Sequence, residues 1–316
     1  MTSNRPVKIL LDCDTGIDDA LAILYLAAQR DVSIVAAGAV HGNVSADLAA
    51  TNTLRVLEIA GLLDVPVAVG ARRPMAQDLK TAEYVHGADG LGNVGHPMPR
   101  GKVTAEPAAM QIVRLAREQP GELTLLATGP LTNVGVALLL EPELPTLLRR
   151  VVVMGGAVYY PGNATNDAEA NIWHDPEAAD LVLTAGWPLT LVGLDVTSTA
   201  RVTDQEIALF RDSDSALARF AWKIMQFYFD FYFEYLGERA CLMHDPVAAA
   251  LAIHPDWATY RDTPVRVELR GHLTRGATRG RPPWKASDPD GPPVSVAMTL
   301  DLERFKSSFI GALLPR

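Results

Sequence analysis

The chain has 316 residues, 48% of them hydrophobic and 21% charged, with a formal net charge of -9. That length can bury a sizeable core, and the acidic balance with no strongly basic run argues against a nucleic-acid partner. No stretch reaches the length of a membrane span, and two cysteines, Cys13 and Cys241, make no disulfide framework. The short polar start, residues 1–5, reads as no secretion signal, so a reducing cytoplasm is the expected setting. Residues 7–11 are a mostly apolar run and predict a buried strand; Gly16 suits a tight turn, and residues 20–24 begin a helix. At this junction stand Asp12, Asp14, Asp18 and Asp19, with no Lys or Arg among them. In an open α/β sheet the junction lies at the carboxyl ends of the strands, where ligands bind. Carboxylates held so close repel one another unless something positive sits among them, and a hard divalent cation is the simplest answer. A capping cluster is the plainer alternative, but a cap uses only one or two of the acids. Cys13, inside the strand end, reads as a small buried side chain.

Residues 31–39 form a second expected strand, ending in His41-Gly42-Asn43. A helix over 46–60, stopped by Gly61, and a short strand over 65–69 follow. The alternation predicts an α/β fold with an open, mostly parallel central sheet flanked by helices. Asn43, at a second strand end, can offer its amide oxygen to a cation or a sugar hydroxyl, or act as a cap. Residues 70–104 are rich in Gly and Pro and read as an ordered loop, with His86 and Asp89 as candidate contacts. A helix over 107–118 and a strand over 123–127 lead into Thr128-Gly129-Pro130, whose backbone carbonyl at Thr128 can complete a cation's shell.

A central strand over 151–154 is followed by residues 162–171, with three Asn and two acids and no apolar periodicity. Asn side chains both donate and accept, so such a loop can grip a polyhydroxyl group such as ribose. A helix to Thr184, a strand over 189–194 and a short helix over 203–210 come next. Residues 213–236 predict a long helix with too many rings for one face. Phe220, Phe227 and Phe231 are expected in the core, with Tyr228, Tyr232 and Tyr235 at a pocket mouth or an oligomer contact. His244-Asp245-Pro246 opens another helix, where Asp245 either caps or reaches the first acidic cluster, and His244 titrates near neutral pH. Residues 264–269 and 294–300 read as a small late strand pair, separated by a Pro, Gly and Arg-rich stretch, 271–293. Asp301 caps a last helix bearing Phe305, Phe309 and Leu313. No linker divides the chain, so residues 1–316 are expected to form a single domain.

The pattern Asp12-x-Asp14-x-Gly16-x-Asp18-Asp19 resembles the signature of the inosine-uridine preferring nucleoside hydrolases. The similarity runs along almost the whole chain. It takes in His41-Gly42-Asn43-Val44, His86-Gly87-x-Asp89-Gly90-Leu91-Gly92, Thr128-Gly129-Pro130-Leu131-Thr132-Asn133, Met154-Gly155-Gly156, Glu169-x-Asn171, Asp175-Pro176-Glu177-Ala178-Ala179 and His244-Asp245. The resemblance implies hydrolysis of the N-glycosidic bond of ribonucleosides to ribose and free base, in purine or pyrimidine salvage. It implies one calcium ion, Ca2+, held by Asp14, Asp19, Asp245 and the carbonyl of Thr128. It further implies Asp14 as general base, ribose contacts from Asp18, Asn43, Asn163, Glu169 and Asn171, His86 near the base or in the proton path, and His244 as acid toward the leaving group. Relatives being dimers or tetramers, a homo-oligomer is implied as well. The chemistry agrees, because carboxylates and amide oxygens suit the oxocarbenium-like charge that builds as the base leaves. Departures are Thr15 where the family commonly has Pro, Ala170 where many members have Phe, and the 271–293 stretch. Two rival readings are a magnesium-dependent haloacid-dehalogenase-like phosphohydrolase, with Asp12 phosphorylated, and a non-catalytic nucleoside or ribose binding protein. The phosphohydrolase pattern wants a later Gly-Asp pair, which this chain does not contain.

Overall fold

The computed structural model describes residues 6–280 and 291–315. Its first half alternates strand and helix: β1 (Val7–Cys13), α1 (Ile17–Ala27), β2 (Val32–Ala39), α2 (Ala46–Ile59), β3 (Val67–Val69), α3 (Glu83–His86), α4 (Ala108–Glu118), β4 (Leu123–Ala127), α5 (Thr132–Leu140), α6 (Leu144–Leu147) and β5 (Arg150–Met154). Then come α7 (Ala170–His174), α8 (Pro176–Leu183), β6 (Leu189–Val192), α9 (Leu194–Thr197), β7 (Arg201–Thr203), α10 (Ala216–Leu236), β8 (Ala240–Leu242) and α11 (His244–Ile253). The chain closes through β9 (Ala258–Val267), β10 (Thr278–Gly280), β11 (Pro293–Leu300) and α12 (Leu302–Leu313).

Nine strands form one sheet in the order β10-β9-β11-β6-β5-β4-β1-β2-β3. From β3 across to β11 every pairing is parallel; β9 and β10 add an antiparallel edge. The central strands β1, β4 and β5 are covered on both faces and read as continuous apolar runs, as buried parallel strands must. One core on α1, α2, α10, α11 and α12 and another on α4, α5 and α8 cover the two faces. The sheet order turns between β1 and β4, so the loops beyond these two strands part at the switch point and leave a crevice.

Several sequence expectations hold with shifted bounds. The late strand pair is β9 with β11, antiparallel, but β9 begins at Ala258 and β11 joins the main sheet alongside β6. Asp301 caps α12 by accepting the N–H of Arg304 at 3.1 Å, and Phe305, Phe309 and Leu313 are fully buried. Each such burial contributes about 1.5–3 kcal/mol. The expected helix over 203–210 is instead the strand β7 followed by a single 3-10 turn at Ala208–Phe210. Pairing with β8 takes its first residue, Thr203, and tertiary pairing overrides local preference there. Of the ring assignment on α10, Phe220 is in the core, but Phe227 is only partly buried and Phe231 lines the pocket. Phe229 fills a core position instead, while Tyr228, though buried, lines the pocket with Tyr232 and Tyr235. Of the 271–293 stretch, residues 281–290 lie outside the described residues.

Candidate active site

The site is built at the crevice. β1 brings Asp12 level with Gly38 of β2 and Ala127 of β4, so residues 13–19 and 128–133 leave the sheet side by side. Asp14 Oδ2 accepts the backbone N–H of Asn43 at 2.6 Å. A Cβ on Gly42 would stand 2.0 Å from that oxygen, so only glycine permits the approach. Asp18 and Asp19 occupy the first turn of α1, and Asp245 that of α11, which packs against α1. Helix N-termini favour negative charge, and two of them thus face one point. Asp19 Oδ2 accepts from the Gly16 N–H at 3.0 Å and Asn43 Nδ2 at 3.1 Å, while its Oδ1 accepts the Thr128 hydroxyl at 2.7 Å. One carboxylate oxygen from each of Asp18, Asp19 and Asp245 lies within 4.8 Å of the others.

All four of these acids are buried, and Asp14 Oδ1 and Asp18 Oδ1 have no hydrogen-bond partner among the described residues. Burial pushes every one of their carboxyls up, Asp18 to about 8. Repulsion adds to this: Asp19 acts on Asp14 and Asp18, and Asp18, Asp19 and Asp14 act on Asp245. A doubly charged cation inverts that balance, and the donors are all hard oxygens of the kind that hold calcium or magnesium. The donor set therefore fits a divalent cation. The Thr128 carbonyl accepts Asn171 Nδ2 at 2.7 Å, and Asn171 also reaches the Met154 carbonyl at 3.2 Å. A carbonyl oxygen has two lone pairs, so this bond orients Thr128 without using up its acceptor capacity.

One side wall comes from α7 and the loop before it. Glu169 caps α7: its Oε1 accepts the Asn171 N–H at 3.0 Å, and its Oε2 accepts from Gly156 at 2.9 Å and Ile172 at 3.1 Å. Asn163 Oδ1 accepts the Ala170 N–H at 2.9 Å, which leaves its amide N–H groups as donors. The other side carries rings and imidazoles. His86 Nδ1 accepts the Ile17 N–H at 3.1 Å, so its proton is on Nε2, and burial lowers its pKa to about 3. Its ring stacks on Tyr228 at 5.7 Å, and the Tyr228 hydroxyl donates to Asp18 Oδ2 at 3.3 Å. His244 is hydrogen-bonded through Nδ1 to the Thr197 hydroxyl at 2.8 Å and through Nε2 to the Tyr232 hydroxyl at 3.0 Å. Burial lowers its pKa to about 4.

Between these walls lies a cavity of about 610 Å3 that Asp18, Asn43, His86, Thr128, Asn163, Glu169, Asn171, His244 and Asp245 all line. Asp14 and Asp19 lie at its acidic floor, joined to it through the bonds to Asn43 and Thr128. Asp12 stands apart from the other acids. Its Oδ1 accepts Asn133 Nδ2 at 2.8 Å, so it turns toward α5, outside the bonds that join Asp14, Asp19 and Asn43. Asp89 is a turn residue whose Oδ1 accepts the N–H groups of Leu91 and Asn93, both at 2.8 Å. Sequence reasoning passed over Thr197, Lys80 and Trp173. The four-residue spacing of Tyr228 and Tyr232 does put both on one helix face, but nothing local marks Lys80 as a pocket residue.

Residues 9–307 match the family described as inosine-uridine preferring nucleoside hydrolase. The chain is 38% identical to a probable uridine nucleosidase 1 of Oryza sativa subsp. japonica, over 96% of each chain. It is also 38% identical to an inosine-uridine preferring nucleoside hydrolase of Crithidia fasciculata, over 98% of each. Among solved structures, a plant nucleoside hydrolase superposes with a TM-score of 0.95 at 34% identity, covering 98% of this chain and 100% of that one. A purine-preferring ribonucleoside hydrolase from Gardnerella vaginalis gives a TM-score of 0.91 at 32% identity, covering 97% and 98%. No helix among the described residues is long and apolar enough to cross a membrane. With the buried acids, the amide-lined wall and this likeness along nearly the full length, the chain belongs to the inosine-uridine preferring nucleoside hydrolase family and is an enzyme of N-glycosidic bond hydrolysis.

Proposed function

We propose that the protein is a calcium-dependent ribonucleoside hydrolase that splits purine or pyrimidine nucleosides into ribose and free base. The observation that carries this reading is the meeting of Asp18 and Asp19 with Asp245, buried and far apart in the chain, under a cavity walled by Asn163, Glu169 and Asn171. Asp14, Asp19, Asp245 and the Thr128 carbonyl would hold the ion, which supplies a Lewis acid that orients sugar hydroxyls and makes a water easier to deprotonate. Asp18, Asn43, Asn163, Glu169 and Asn171 bind the ribose. Asp14, whose Oδ1 lacks a partner among the described residues, takes the proton from the attacking water. The water oxygen bonds to C1′, the C1′–N bond breaks, and its electron pair leaves with the base, which gains a proton.

The base side is formed by His86, Tyr228, Tyr232 and His244. Burial lowers the pKa of both imidazoles, and His244, bonded to the Tyr232 and Thr197 hydroxyls, is the group that gives the departing base its proton, taking one back from water after the base leaves. Relatives carry names that point to uridine, to inosine with uridine, and to purines, so membership alone leaves the base open. The test is a panel of ribonucleosides in calcium buffer, read by release of reducing sugar, with Asp14→Asn as the control. Ribose is expected from at least one nucleoside, and Asp14→Asn should lower kcat by about 10²–10⁴-fold. An inert panel, or full rate in the variant, refutes the proposal. We place the working form as a homo-oligomer, dimer or tetramer, to be read by light scattering.

A further inference from the structure

Helix α7 carries two of the side chains assigned to the sugar, Glu169 at its cap and Asn171 within it, yet it has only five residues. So short a helix is not stable alone, and its direction is set by what holds its two ends. The amino end is tied by Glu169 to the Gly156 N–H and by Asn163 to the Ala170 N–H, both at 2.9 Å. The carboxyl end leaves carbonyls that the helix itself cannot satisfy. Those of Trp173 and His174 accept Nε2 of Gln77 at 2.8 and 2.9 Å. Gln77 lies 96 positions before Trp173, so a distant loop closes the helix.

A glutamine amide can be turned either way round, and its partners decide which. Arg275 removes the choice. Its Nε donates to Gln77 Oε1 at 3.0 Å. A guanidinium only donates, so the oxygen of the amide faces Arg275 and the NH2 faces α7. Nη2 of the same guanidinium donates to both carboxylate oxygens of Glu177, each at 2.8 Å, in the first turn of α8. Nη1 donates to the Leu269 carbonyl. Arg275 and Glu177 expose 28% and 27% of their side chains, so water screens the pair only in part. The arginine stands in the turn between β9 and β10, where the Gly276 N–H donates to the Glu268 carbonyl at 2.7 Å. Gly276 has a φ of +82°, and a Cβ there would stand 3.0 Å from the Trp173 Cα, so glycine lets this turn lie directly on α7.

The line continues into the site. Asn171 Nδ2 donates to the Thr128 carbonyl at 2.7 Å. The loop that begins at Gln77 ends with the Ala82 N–H donating to the Asn43 carbonyl at 2.9 Å. We propose that Arg275 is a positioning residue: through Gln77 it fixes the direction of α7, and with it the Glu169 and Asn171 side chains that the hydrolase reading gives to the sugar. The sugar contacts rest on that reading; the hold on α7 does not.

The experiment compares the native chain with Arg275→Met, Gln77→Met and the double variant, all in calcium buffer. Two quantities are read: amide hydrogen exchange over residues 169–174, and kcat and KM for a nucleoside that the native chain cleaves. Within α7 the Glu169 carboxylate holds the N–H groups of Asn171 and Ile172, and the Glu169 carbonyl holds that of Trp173, so a loosened helix exposes them together. Arg275→Met should speed their exchange about tenfold, the worth of a hydrogen bond, and raise KM by about the same factor with kcat falling less. A variant that only folds poorly lowers the apparent kcat, leaves KM alone and exchanges faster throughout. Gln77→Met should match Arg275→Met, and the double variant should be no worse than either, because both cut one line. Native exchange in α7, a native KM in Arg275→Met, or effects that add in the double variant overturn the proposal. Faster exchange confined to α7 in a protein that cleaves no nucleoside removes the hydrolase reading and keeps the hold of Arg275 on α7. Native exchange in a protein that cleaves nucleosides does the reverse.

Discussion

The floor of the pocket is made of short acidic and amide side chains tied to backbone and to one another, whereas its rim is made of rings and long chains half open to solvent. On the floor, Asp14, Asp19 and Glu169 together accept five backbone N–H bonds, from Asn43, Gly16, Gly156, Asn171 and Ile172. At the rim, Tyr235 is 70% exposed and Tyr84 71%, and Phe231 touches both only through ring contacts at 5.1 and 6.2 Å. Side chains fixed by strand ends and helix starts hold reacting groups to a fraction of an ångström, which an ion and a sugar require. Rings that meet only each other can shift to admit different bases. The chemistry is therefore expected to fail sharply when the floor is altered, and substrate choice to drift when the rim is.

The largest effect should come from removing a floor carboxylate. Asp19→Asn and Asp245→Asn are expected to weaken calcium binding by more than the about 10–100-fold that loss of an outer partner costs, with activity falling in step. Calcium titration by calorimetry measures this, and ordinary affinity in either variant would break the contrast. Thr128→Val keeps the carbonyl but deletes the hydroxyl bonded to Asp19, so it belongs in the about 10–100-fold class.

Acidity offers a third way in. Burial raises Asp12 to about 7 and Asp18 to about 8, above their ordinary value of 3.8, so the folded protein binds more protons than the unfolded chain in between. Their contribution is fully present below the unfolded pKa and is lost as pH rises through the folded one. The histidines His41 and His244, both lowered to about 4, act in the opposite sense, but only below their ordinary 6.5. Without metal, Tm should thus fall from pH 6.5 to 8, and saturating calcium should flatten that slope. A slope that is the same with chelator and with calcium would separate the acids from any ion. The smallest effect is expected at the rim: Tyr232→Phe loses one hydrogen bond to His244, about 0.5–1.5 kcal/mol, and should lower kcat about tenfold at most. Its pH profile should change while calcium affinity does not.

Much of the fold was legible because buried parallel strands announce themselves as apolar runs ended by Gly, Asn or Asp, as residues 7–19 and 123–133 do. The cap of Asp301 on α12 and the glycine stop at Gly61 follow from equally local rules. Legibility failed where distant pairing decided the outcome. Residues 201–203 are a strand because β8 lies beside them, and the rings of α10 sort by which neighbour each meets, with Tyr228 buried against His86 and Phe231 at the mouth. The four acids of the opening motif looked like one group, yet Asp12 turns to Asn133 while the other three face the cavity floor.

From the sequence alone came the class of fold, the family likeness and the places where reacting side chains would leave the sheet, because strand ends and helix starts are coded by neighbours along the chain. Tertiary structure alone decided that Asp245 joins Asp18 and Asp19, that Asn171 orients the Thr128 carbonyl, and that Lys80 stands over Trp173. Those meetings join residues up to 227 positions apart, from Asp18 to Asp245. No local propensity encodes such a distance; it is set by how the sheet order turns at β1 and β4 and by the packing of α1 against α11.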